Sequence, residues 1–62
     1  MDKYSKYSGM TMNERLYHSG LMDEFDVAKK ANNLDKLIEI YQQLVTDDYE
    51  KARADALLAI KD

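Results

Sequence analysis

The sequence predicts an all-α fold: a small three-helix bundle, up-down-up, behind a disordered N-terminal tail. Three observations lead there. Apolar residues recur at intervals of three and four along residues 11–62, the period of a helix face. Proline is absent and only two glycines occur in 62 residues, so turn chemistry is scarce and connections must be short. Between the periodic stretches stand Asn32-Asn33 and Thr46-Asp47-Asp48, residue types that end one helix and start the next. Connections of this length set neighbouring helices antiparallel.

Residues 1–10 are read as a flexible tail. They are polar, show no apolar period, and carry two lysines against one aspartate. Terminal segments of this kind order only when something ties them down. Met10 and Met12 follow, and the tail reads as an extension ahead of the structured part. The domain proper is 11–62.

The first helix is expected over about 12–31. Thr11-Met12-Asn13-Glu14 has the form of a capping box, with the Thr hydroxyl on one free amide and Glu14 reaching back to another. Tyr17, Leu21, Phe25 and Ala28 fall at i, i+4, i+8 and i+11 with Met22 beside them, one apolar face. Met12, Leu16 and Gly20 make a second row. Ser19-Gly20 is the weak point, because a glycine inside a helix costs about 1 kcal/mol relative to alanine. The reading is a helix that continues through Gly20 with at most a mild kink; the alternative is two pieces.

The second helix is expected over 34–45. Asn32 suits the left-handed end of the first helix, Asn33 can cap the second, and Lys29 and Lys30 suit the dipole at the first helix's end. Leu34, Leu37, Ile38, Tyr41, Leu44 and Val45 give the cleanest stripe in the chain, and Ile40 lies off it. The third helix is expected over 47–61, with Thr46 as cap and Asp47 and Asp48 in its first turn. Tyr49, Ala52, Ala56, Leu57 and Ile60 form its apolar side, and Leu58 falls outside it.

Size and composition exclude several activities. A core this small supplies only about 3–5 kcal/mol of net stability without help from a staple or an assembly. With no cysteine there is no disulfide and no thiolate zinc site, and one histidine cannot make a histidine-rich one. Self-association or a partner is the remaining support. No apolar run approaches the roughly 18 residues that span a bilayer, and the N-terminus shows no secretory signal. The expectation is a cytoplasmic protein with no membrane contact.

No chemistry-bearing pattern emerges. Asp23, Glu24 and Asp26 are the densest acidic cluster, but so small a bundle cannot enclose a carboxylate pair as catalysis requires; they read as a solvated face. His18 neighbours Ser19, yet adjacent residues on a helix do not face each other. Ser19-Gly20 lacks the flanking glycine and strand of a nucleophile elbow, and two isolated glycines make no phosphate loop. No catalytic, cofactor or metal residue is assigned. Residues 11–62 hold seven Lys+Arg against eleven Asp+Glu, which disfavours nucleic acid, whose binding needs a basic stripe. A small helical nucleic-acid-binding regulator is the alternative, carried only by Lys3-Tyr4 and Lys6-Tyr7, where base and aromatic interleave.

Asn13-Glu14-Arg15-Leu16, Ser19-Gly20-Leu21 and Asp23-Glu24-Phe25-Asp26 resemble a pattern of short, uncharacterised bacterial helical proteins, with the likeness running on through Leu34-Asp35-Lys36-Leu37 to Leu44. The resemblance implies a bacterial source and a start at Met12. It implies no activity and transfers no functional residue.

The apolar residues that miss their stripes carry the functional expectation. Leu16, Ile40 and Leu58 are read either as touched by a slightly wider core or as a partner-binding face; the partner face, for a second copy (dimer or higher) or for a larger protein, is the one the functional expectation rests on. The function read from the sequence is a non-enzymatic interaction or regulatory module acting through an apolar helical face.

Overall fold

The structure, a computed structural model, describes residues 4–61, and among them it is all-helical with four helices instead of three. Thr11 starts the first, α1 (Met12–Ser19), with the expected capping box. The Thr11 hydroxyl oxygen accepts from the Glu14 amide at 3.2 Å, and the Thr11 amide donates to Glu14 Oε1 at 3.0 Å. The Thr11 amide, and secondarily its hydroxyl, hold the Glu14 carboxyl below its ordinary value.

The first helix does not continue through Gly20. Gly20 takes a left-handed φ of 79°, free for a residue without Cβ. Its amide donates to the Tyr17 carbonyl and the Leu21 amide to the Leu16 carbonyl. These two bonds satisfy carbonyls that a helix end otherwise leaves open. The chain turns there, and α2 (Met22–Lys30) begins at once. The turn also changes which row faces inward. Leu16 is 1% exposed and Met12 half-buried, while Tyr17, expected on the inner face, is 82% exposed. The apolar period that joined Tyr17 to Phe25 therefore spans two separate helices.

The next helix end repeats the device with asparagine. Asn32 has a φ of 55°, and the Asn33 amide donates to the Ala28 carbonyl at 2.8 Å. Asn33 Oδ1 accepts from the Lys36 amide and caps α3 (Leu34–Leu44). The last helix, α4 (Tyr49–Lys61), starts later than expected. Its cap is Asp48, whose Oδ1 accepts from the amides of Glu50 and Lys51. The Thr46 hydroxyl oxygen accepts from the Asp48 amide and shapes the turn ahead of it.

Helix α3 is the centre. It is packed by α4 and by α1 and α2, so its apolar arc is wider than a single stripe. Leu37, Ile38, Ile40 and Leu44 are all buried, and only Asp35, Glu39 and Gln43 are exposed. Ile40, expected to point outward, is 0% exposed because two sides of α3 are covered.

The N-terminal segment is a structural part of the bundle from residue 4 onward; the expected tail's residues 1–3 lie outside the described residues. Ser5–Tyr7 forms one 3-10 turn, and Tyr7 is 5% exposed within the core. Its ring meets His18 edge-on, centroids 6.4 Å apart. The Tyr4 hydroxyl shares its proton between the Gln42 carbonyl and Asp47 Oδ1. Arg15 completes the attachment: Nε donates to the Met10 carbonyl at 3.2 Å and a terminal guanidinium nitrogen to the Leu44 carbonyl at 2.8 Å. The second bond puts a cation on the C-terminus of α3, where the helix dipole favours it.

Candidate functional site

Helix α4 joins the bundle chiefly through α3. Ala52 and Ala56 are wholly buried, and such small side chains let two helix axes approach closely. The side of α4 that looks toward α1 and α2 remains open, and a groove of about 370 Å³ runs along it. Its lining comes from all four helices. Buried Leu16 and Phe25 with half-buried Tyr41 make the floor, Met12, Asn13 and Lys29 one wall, and Asp55, Leu58 and Ala59 the other.

The floor is ordered by its aromatic pair. The Phe25 and Tyr41 rings meet edge to face, with centroids 5.9 Å apart and planes at 69°, an arrangement the ring quadrupoles favour. The Lys29 ammonium lies 5.8 Å from the Phe25 ring centroid, close enough for cation–π attraction. Lys29 and Asp55 therefore set opposite charges on facing walls of an apolar trough.

The three residues expected to share a partner face are separated by the fold. Leu58 is 63% exposed on the groove rim. Leu16 lies at the groove floor, enclosed by its neighbours, and Ile40 is inside the core. Neither presents a side chain to a partner, because α3 is covered on both sides and α1 turns its Leu16 row inward. The sequence missed the floor as a unit: Phe25 and Tyr41 were each legible as core positions, but their meeting beside Leu58 depends on how the helices cross.

Other chemistry-bearing side chains are placed as structure. The Ser19 hydroxyl donates to the Leu16 carbonyl at 3.2 Å, and His18 packs against Tyr7, so the two are not paired with each other. Asp23 and Glu24 are exposed in the first turn of α2, where the dipole favours anions. Among the described residues no group of three or more His, Asp or Glu is placed to hold a metal ion, and no helix is long and apolar enough to cross a membrane. The basic side chains are distributed over all four helices.

No family model matches the chain, and no match was found among curated proteins or solved structures.

Proposed function

We propose that this chain is a non-enzymatic protein–protein interaction module of the cytoplasm, and that the groove between α4 and the α1–α2 pair is its working surface. One observation carries this reading: an exposed leucine, Leu58, stands on the rim of an open trough whose floor is apolar. Covering a side chain of that size contributes about 1.5–3 kcal/mol before the costs of association. A trough between helices is the geometry by which amphipathic helices are recognised, and the action expected of it is occlusion or scaffolding without bond chemistry.

A methyl-resolved NMR titration tests the reading. The probe is a designed amphipathic peptide helix with leucines on one face. Shifts are expected at the methyl groups of Met12, Leu58 and Ala59, and Leu58→Glu should weaken binding about tenfold or more. Shifts centred instead on the Tyr7–His18 side, or on a second cleft that Val27 of α2 and Ala31 at its end line together with Lys36 of α3, would place the working surface elsewhere. Absence of any shift would remove the module reading.

A further inference from the structure

We infer that the groove's occupant is an amphipathic helix of another protein, with acidic residues along one flank of its apolar ridge and basic residues along the other. The inference rests on the groove reading above and adds the partner's charge pattern. It comes from the two charged side chains on the trough's walls. Lys29 stands on the α2 wall and Asp55 on the α4 wall, either side of an apolar floor. Both are half-buried, and among the described residues neither has an ion-pair partner. The Lys29 ammonium is held over the Phe25 ring, and its N–H donors remain open to a carboxylate. Asp55 lies in the middle of α4, away from the N-terminal turn where the helix dipole favours an anion. The only base three or four positions from it on that helix is Lys51, which precedes it, the less favourable order for such a pair. A half-buried carboxylate on an apolar rim gains from a cation brought to it.

Walls of opposite sign also select a direction. A helix laid along the trough with its ridge on the floor turns one flank to Lys29 and the other to Asp55. Turning it end for end, ridge still down, exchanges the flanks. A partner with acid on one flank and base on the other is therefore accepted in one direction and opposed in the reverse one. Charges at flanking positions fix orientation and partner choice between paired helices in this way. A helix whose flanks are both of one sign meets a like charge whichever way it lies. Half-buried Met12 on the wall beside Lys29 adds a flexible thioether that can follow the shape of the incoming ridge.

The test is the affinity of the full chain for three peptide helices at low salt, read from the methyl groups of Met12 and Leu58. The peptides share one leucine ridge. The first carries Glu on one flank and Lys on the other, the second Lys on both, the third Glu on both. The first should bind about tenfold more tightly than either of the others. Lys29→Glu makes both walls acidic and should move the preference to the Lys-flanked peptide, and Asp55→Lys should move it to the Glu-flanked one. The double variant exchanges the walls and should restore preference for the first peptide, bound end for end. A spin label at that peptide's N-terminus should then broaden amides at the opposite end of the trough from those it broadens in the wild-type chain. A folding defect weakens binding but does not exchange which peptide is preferred. Arg53→Glu makes the same charge change at an exposed position outside the trough's lining and should leave the wild-type ranking intact. Three peptides of equal affinity, a ranking that the wall substitutions do not change, or one that Arg53→Glu changes equally, overturns the inference and leaves the groove reading standing. Shifts at Met12 and Leu58 on diluting the chain alone would assign the trough to a second copy and overturn it likewise. If no peptide shifts these methyl groups, both readings fail.

Discussion

Replacing Tyr7 with alanine separates the folded N-terminal segment from a loose tail. A tyrosine buried this far removes about 150–250 Å² from water. At about 25 cal/mol per Å² that is an upper bound of roughly 4–6 kcal/mol, and truncations of large core rings to alanine cost about 3–5 kcal/mol. Tyr7 belongs to a short turn at the edge of the core that can relax after truncation, so the expected loss is about 3 kcal/mol. A domain of this length has roughly 3–9 kcal/mol in total. The midpoint of thermal unfolding should fall by about 12–24 °C. Urea unfolding followed at 222 nm, in sulfate buffer to keep the variant folded at zero denaturant, measures the difference. Tyr7→Phe keeps the ring and should stay within about 0.5 kcal/mol of wild type. If Tyr7→Ala costs less than about 0.5 kcal/mol, and removal of residues 1–10 leaves the unfolding midpoint unchanged, the packing of this segment is refuted and the tail reading is restored.

The same urea assay checks the other stabilising contacts. Arg15→Met loses both backbone contacts and should cost about 2 kcal/mol, with Arg15→Lys retaining the charge but not the fork and costing about half of that. Gly20→Ala meets no atom within 4 Å of the added Cβ, so its cost is that of the left-handed backbone alone, about 1–2 kcal/mol, with Gly20→Asn less severe. Thr11→Ala should cost about 1 kcal/mol through loss of the cap. Because Glu14 titrates lower in the folded chain than in the unfolded one, its contribution is present above the ordinary glutamate range and is lost as pH falls through the lowered folded value. Glu14→Gln should remove that part of the acid dependence, and a pH series of wild type and variant reads it.

The helical class and two of its boundary devices were legible in the sequence. Thr11 and Glu14 form their capping box because its requirements are local, and Asn32-Asn33 ends one helix and caps the next for the same reason. Gly20 was legible as a weak point but not as a stop. Its break lets Leu16 enter the core and Leu21 pack against it half-buried, so that the bonds ending α1 form where both side chains find apolar neighbours. Tyr17 shows the consequence: it shares a 3.6-residue period with Phe25 in the sequence, and the intervening turn cancels the period in space. Ile40 misled in the opposite direction. A stripe argument assumes one covered side, and α3 has two. Tyr7 gave no periodic signal because a single aromatic in a short turn has no period to show. The candidate site was half visible. Leu58 stood out as an apolar residue off its stripe, but the trough beside it arises from Phe25, Tyr41 and Met12 on three other helices, a meeting that only the helix crossings determine.

The proposed docking role of the trough beside Leu58 is tested most directly by intermolecular paramagnetic relaxation against the designed amphipathic peptide. A single cysteine at one end of the peptide takes the spin label, and the chain itself contains none. Labelled peptide mixed with ¹⁵N-enriched chain should broaden amides in the C-terminal half of α4, together with Met12 and Lys29 across the groove. Broadening spread evenly over the surface, confined to the side that carries Tyr7 and His18, or absent at millimolar concentration would contradict the claim.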